Sequence, residues 1–253
     1  MKLHAVQAAY CHSNARYRGF VGGRGAGKTT VGAYDLLKRA KPNRTYLAIA
    51  PIYKTLQDAT FKELERRARE MRFFVNLNRA DMVMTLGNGA RILGRSAENP
   101  EYLRGPNVSG LWVDEAAYVS SQARDVGVAC VREAGEIGWI SCTFTPAGRS
   151  HWTYDTFVRE PMDSALFCAK TSDSPFLPPG FYEDLAARYT PLLAKQELEG
   201  DFLDIAGAEF PGEWFVNTGY ETDPDNVRLR VLYLDPSMGQ NETSDYSAFV
   251  MLS

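Results

Sequence analysis

Residues 21–30 read VGGRGAGKTT, four glycines in ten positions ahead of a lysine and two hydroxyls. Glycine backbone loses more freedom on folding than any other, so such a run needs an offsetting interaction. The stretch fits GxxxxGK[ST] at Gly22, Gly27, Lys28 and Thr29, with strand-like RYRGFV before it and helix-like TTVGAYDLLKRA after it. In that setting the amides along Gly22, Gly23, Arg24, Gly25, Ala26 and Gly27 close around phosphate oxygens, and the start of the following helix, with Thr30, adds its dipole. Lys28 then brings a point charge to the terminal phosphates, and Thr29 a hydroxyl for Mg²⁺. A strand feeding a helix through a phosphate loop constrains the fold to the α/β class.

The rest of the chain keeps that rhythm. Short apolar runs predict strands at Arg16 to Val21, Thr45 to Ala50, Gly110 to Val113, Gly138 to Phe144 and Ala165 to Lys170. Helices are expected at Lys28 to Ala40 and Thr55 to Arg72; in the second, Phe61, Leu64, Ala68 and Met71 recur on one face, and the charges of KELERRARE read as its solvated side. The GNG turn inside DMVMTLGNGARILGRS predicts a β-hairpin. Two shorter helices are expected at Pro179 to Tyr189 and Pro191 to Glu199.

A nucleotide site also needs a carboxylate for the metal and a group to orient water. SGLWVDEA ends an apolar strand in Asp114, suited to the Mg²⁺ shell, and Glu115, suited to activating the attacking water. Successive strand residues point oppositely, so both reach one site only if the chain turns there. Elsewhere, Cys11, Cys130, Cys142 and Cys168 and the three histidines lack metal-ligand spacing, so the cysteines are expected reduced and mostly buried. The net charge of −3 and pI of about 5.7 exclude a broad basic surface for nucleic acid. The absence of a signal-like start or a long apolar run leads to the expectation of a soluble intracellular protein with no membrane contact.

GGRGAGKT, IAP after the next strand, LRGPNVSGLWVDEA, TFTP and LEGDF, in this order, resemble the ATPase part of the large terminase subunit of tailed bacteriophages. The resemblance covers about residues 5 to 210. It implies a P-loop NTPase of the ASCE, RecA-like kind, with a mainly parallel sheet flanked by helices and a small lid-like helical region. It also implies an ATP- and Mg²⁺-dependent motor that pumps double-stranded viral DNA into a procapsid in the cytoplasm of an infected bacterium. Its implied partners are the portal protein, the small terminase subunit and further copies of itself in a ring, the isolated chain being a monomer.

Carried over by position, the resemblance makes Gln7 the reader of the adenine edge, with a surface glutamine as the alternative. Arg104 becomes an arginine finger given to a neighbouring subunit; a loop arginine pairing with an acid is the alternative. Arg24, inside the loop, is the rival finger, and Arg149 a weaker one. Thr143 and Thr145 would couple hydrolysis to movement, the alternative being threonines chosen for β-propensity.

An Asp/Asn/Thr/Pro-rich stretch predicts a linker at 206–227, dividing an ATPase domain with its lid (1–205) from residues 228–253. The latter resemble the opening hairpin of a ribonuclease H-like nuclease, with Asp235 its first metal carboxylate and Asp245 a weaker second. With no further carboxylate after Asp245, the expectation is ATP hydrolysis without a competent nuclease. Two other functions fit the loop: a helicase-like P-loop translocase, which should carry a second RecA-like domain, and a nucleotide-gated assembly factor that scarcely turns ATP over.

Overall fold

Apolar runs alternating with amphipathic segments become alternating strands and helices in the computed structural model of the protein. It describes residues 2–203 and two further strands at 231–235 and 248–252. In chain order the elements begin with α1 (Ala5–His12), β1 (Tyr17–Gly22), α2 (Lys28–Arg39), β2 (Thr45–Ala50), α3 (Tyr53–Thr55) and α4 (Phe61–Glu70). Next come β3 (Val75–Asn78), β4 (Val83–Leu86), β5 (Arg91–Ser96), β6 (Gly110–Asp114), α5 (Ser121–Ala129), β7 (Trp139–Phe144) and α6 (Trp152–Tyr154). The series ends with β8 (Ser164–Ala169), α7 (Phe181–Arg188), α8 (Pro191–Ala194), β9 (Val231–Asp235) and β10 (Ala248–Leu252).

Eight strands form one sheet in the order β3-β4-β5-β2-β6-β7-β1-β8. Every neighbouring pair from β5 to β8 is parallel. The expected hairpin around GNG is the antiparallel pair β4–β5, extended by β3. This is the α/β P-loop architecture with a mainly parallel sheet. The strand of TFTP, β7, stands between the phosphate-loop strand β1 and the carboxylate strand β6.

Side-chain alternation sorts the buried strands into two layers. Leu47, Ile49, Leu111, Val113, Ile140, Cys142 and Phe144 join α5 residues Ala123 and Val126 in one apolar cluster. On the opposite face, Tyr46, Ala48, Ala50, Ile92 and Trp112 pack with Leu36 and Leu37 of α2 and with Phe61, Leu64 and Ala68 of α4. The stripe expected on α4 is therefore its core face.

Three features depart from expectation. The helix expected from Thr55 to Arg72 starts at Tyr53 and is interrupted by a π turn at Leu56–Thr60. The charges of KELERRARE are not all solvated: Arg67 is buried and Glu63 nearly so, because Glu63 accepts from Thr30 of α2 at 2.8 Å and from Arg66 and Arg67 at 2.7 Å. Helices α1 and α5 and strand β3 carry no strong periodic signal and were not among the expected elements.

Contacts divide the chain into two units, Met1–Ala206 and Gly207–Ser253. In the second, β9 and β10 pair antiparallel with Ala248 opposite Asp235. The expected linker and Asp245 lie outside the described residues. Among the described residues no helix is long and apolar enough to cross a membrane.

Candidate active site

The parallel strands β6, β7 and β1 end level with one another. Asp114 pairs in register with Thr143, and Thr143 with Phe20, two residues before Gly22. Ligands of open α/β sheets bind outside such carboxyl ends. Here the phosphate loop leaves β1. Gly25 and Gly27 take left-handed φ values of 79° and 78°, which a side chain would strain. Gly27 directly precedes α2, whose first amides have no partner within the helix and make a ready anion site. Lys28 Nζ donates to the carbonyls of Gly22 at 3.2 Å and Gly23 at 3.1 Å. Burial lowers its pKa, against the pull of Glu115, Glu197 and Asp114.

Asp114 is 1% exposed and accepts three hydroxyl hydrogen bonds. Thr29 and Thr143 donate to its Oδ1 at 3.2 and 2.8 Å, and Thr60 donates to its Oδ2 at 2.8 Å. Thr143 in turn accepts from Trp112 Nε1 at 2.9 Å. Burial pushes the Asp114 carboxyl up, and these hydroxyls pull it down. The turn required to aim both acids at one site is present: Glu115 has φ 50° and ψ 46°, a left-handed conformation uncommon for a side-chain-bearing residue. Glu115 thereby joins Lys28, Arg24 and Thr145 in lining a cleft of about 420 Å³. Burial and the neighbouring Asp114 push its carboxyl upward, and Lys28 partly offsets them.

The expected residues divide into those the cleft gathers and those it does not. Thr145 lines it and donates to Gly22 O at 3.4 Å. Arg24 lines it and is hydrogen-bonded to Tyr189, while its backbone N–H donates to Glu197 O at 2.6 Å. Gln7 is buried on the other side of the loop, beside a second cavity of about 400 Å³ shared with Thr30. Its Nε2 donates to the carbonyls of Ala26 and Gly27 at 3.4 Å, and its Oε1 accepts from the His4 amide at 3.3 Å. Gln7 is thus no surface glutamine; it braces the phosphate loop. Arg104 is exposed and paired with Glu101 at 2.6 Å, and Arg149 donates to Phe202 O at 3.4 Å. Neither lines the cleft.

Sequence reasoning missed Thr60, Tyr189 and Glu197. For Thr60 a signal existed: it falls four residues after Leu56 and four before Leu64, in line with a buried stripe. The other two lie at the end of α7 and in the turn after α8, and reach the loop only through tertiary packing.

Thr29 and Asp114 are a hydroxyl and a carboxylate in contact, an all-oxygen pair suited to Mg²⁺. Among the described residues no group of three His, Cys, Asp or Glu could hold a metal ion. A hard cation here would complete its shell with phosphate oxygens and water.

Residues 14–189, well over half of the chain, match the model of the phage terminase large subunit. No curated protein matches the sequence. Among solved structures, the large terminase of a thermophilic bacteriophage aligns with a TM-score of 0.73 at 16% identity, covering 80% of this chain and 54% of that one. The same protein in complex with ADP aligns at 0.72 and 16%, covering 84% and 57%. The large terminase ATPase domain of Thermus phage P74-26 aligns at 0.62 and 23%, covering 80% and 94%. The chain therefore spans just over half the length of the first of these proteins, and at such identities the likeness concerns the fold. Sheet order, phosphate loop and family match agree: this chain belongs to the phage terminase large subunit family.

Proposed function

We propose that this chain hydrolyses Mg-ATP as the motor part of a phage large terminase, driving double-stranded viral DNA into a procapsid. One observation carries the reading: Thr29 of the phosphate loop lies 3.2 Å from Asp114 Oδ1, with Glu115 turned into the cleft that Lys28 lines. Lys28 and the first amides of α2 would hold the phosphates, and Thr29 with Asp114 would hold Mg²⁺. When bound, Mg²⁺ neutralises charge on the phosphate oxygens. Glu115, raised by burial, takes the proton of the attacking water. Arg104 acts on the nucleotide of a neighbouring copy in a ring. Its pairing with Glu101 is solvent-exposed and therefore weak enough to exchange. Arg24 senses the nucleotide from within its own chain, and Thr143 and Thr145 link Asp114 and the loop to movement. The portal, the procapsid and the small subunit are the expected partners, in the cytoplasm of the infected host. Residues 1–205 form the ATPase domain with its lid, 206–227 the linker, and 228–253 the start of a nuclease with Asp235 as its first metal carboxylate.

The test is phosphate release as a function of protein concentration, with and without double-stranded DNA. Lys28→Ala and Glu115→Gln should each lower turnover by about 100-fold or more. Arg104→Ala should lose the concentration-dependent rise and keep ATP binding. Equal rates for wild type, Lys28→Ala and Glu115→Gln would instead favour a nucleotide-gated assembly factor.

A further inference from the structure

Two of the three hydroxyls on Asp114 belong to motifs already discussed. The third, Thr60, lies in the crossover between β2 and α4, at the end of the π turn Leu56–Thr60, where the Phe61 N–H reaches back to Leu56 O. Such turns insert a residue into a helix and occur disproportionately at functional sites. A helical threonine often turns its hydroxyl back onto the preceding turn's carbonyl. Thr60 instead donates to Asp114 Oδ2 at 2.8 Å, and it is fully buried. Valine would fill that space without a polar atom to desolvate, so packing alone does not account for the hydroxyl.

We propose that Thr60 is a positioning residue for the metal-binding carboxylate. Thr143 holds Oδ1 at 2.8 Å, and the Thr60 bond pins Oδ2, so the two hydroxyls together fix rotation of the carboxylate and leave Oδ1 beside Thr29, the other residue that would hold the metal. Mg²⁺ demands near-ideal octahedral geometry, so a carboxylate pinned at only one oxygen holds it less well than one pinned at both. This deepens the Mg-ATP reading and rests on it.

The test uses the full chain and a fluorescent N-methylanthraniloyl ATP, titrated with Mg²⁺ and, separately, bound in EDTA. Thr60→Val should raise the Mg²⁺ concentration for half-maximal binding by about tenfold, as loss of an outer-shell partner does. Binding in EDTA should stay within about twofold, and Thr60→Ser should restore the wild-type titration. Should Thr60→Val fail to fold, Thr60→Cys keeps the volume with a weaker donor and must show the same displaced titration. An unchanged Mg²⁺ midpoint in a folded variant overturns the proposal, as does an equal loss of binding in EDTA. Wild type indifferent to Mg²⁺ would sink the Mg-ATP reading itself, and this inference with it.

Discussion

The two faces of the sheet obey one period-two rule and both bury apolar clusters, but the α2 face adds buried polar groups that the α5 face lacks at the same strands. Toward α5, β6 and β7 present Leu111, Val113, Ile140, Cys142 and Phe144, an apolar layer. Toward α2, the alternate positions of β1, β6 and β7 present Arg18, Ser141, Thr143 and Asp114, all buried. Each has a named partner: Arg18 with Asp35 of α2, Ser141 with Tyr10 of α1, Thr143 with Trp112, and Asp114 with Thr29 and Thr60. The α5 face is specified by volume and tolerates any well-fitting hydrocarbon. The α2 face, beyond its own apolar packing, is specified by the identity of donors and acceptors, since each buried polar group is costly without its partner. The phosphate loop joins the second face, so binding chemistry and fold specificity share the same residues.

The sharpest way to break this comparison is to change chemistry at constant volume on each face. Arg18 and Asp35 are fully buried, 2.6 Å apart, with the guanidinium also over the rings of Tyr10 and Trp139. Asp35→Asn leaves that cation without its counter-charge and should cost about 3–5 kcal/mol in urea unfolding. Leu111→Met, near-isosteric on the other face, should cost under about 1.5 kcal/mol. The paired replacement Arg18→Met with Asp35→Leu should recover most of the loss. If Asp35→Asn and Leu111→Met cost the same, the faces do not differ as described.

A pair of helix glycines sharpens it further. A Cβ on Gly32 of α2 would sit 2.3 Å from Trp112 Nε1, the donor to Thr143. Gly32→Ala should therefore cost about 1–3 kcal/mol and dislodge the indole from the Asp114 network. On α5, a Cβ at Gly127 would meet only the side-chain tips of Ile49 at 3.0 Å and Leu111 at 3.3 Å. Those tips can yield, and alanine favours helix by about 1 kcal/mol, so Gly127→Ala should stay within about 0.5 kcal/mol of wild type. Trp112 fluorescence would distinguish the two: a shift for Gly32→Ala and none for Gly127→Ala.

How far this arrangement is legible in the sequence follows from how local each part is. The phosphate loop is ten consecutive residues, and its glycines, Lys28 and Thr29 announce themselves without reference to anything distant. Asp114 and Thr143 are legible because each stands at the end of an apolar run, where parallel strands finish together. Period two also assigns Arg18 and Ser141 to one face, but says nothing of what lies opposite them. Thr60 is half legible: its spacing from Leu56 and Leu64 marks it as buried, but a π turn leaves no mark on composition, so nothing in the sequence aims its hydroxyl at Asp114. Glu197 reaches the loop through the carbonyl it offers to Arg24, which is a backbone contact no side-chain pattern can report. Gln7 was expected at the nucleotide; that it is buried, lines a cavity beside the loop and donates to Ala26 and Gly27 follows from how α1 packs, which no local pattern reports.

The smallest expected difference between the faces is their response to acid. The α5-face cluster buries the thiols of Cys130 and Cys142: burial pushes Cys130 up and Cys142 up to about 12, so both stay neutral through the acid range. On the α2 side, burial would raise Glu63, but hydrogen bonds from Arg67, Arg66 and Thr30 outweigh it and hold the carboxyl below its ordinary 4.5. A carboxyl depressed on folding contributes stability that is fully present above its unfolded value and is lost as pH falls through the folded one. Glu63→Gln should therefore unfold more easily than wild type at pH 7, by about 1 kcal/mol, and the gap should close as the pH is taken below 4.5. Cys142→Ala, on the other face, should show a gap that does not move with pH over the same range. Urea midpoints at neutral and acid pH decide it: a Glu63→Gln gap as constant as that of Cys142→Ala would mean that the arginines do not hold this carboxylate, and the two faces would then titrate alike.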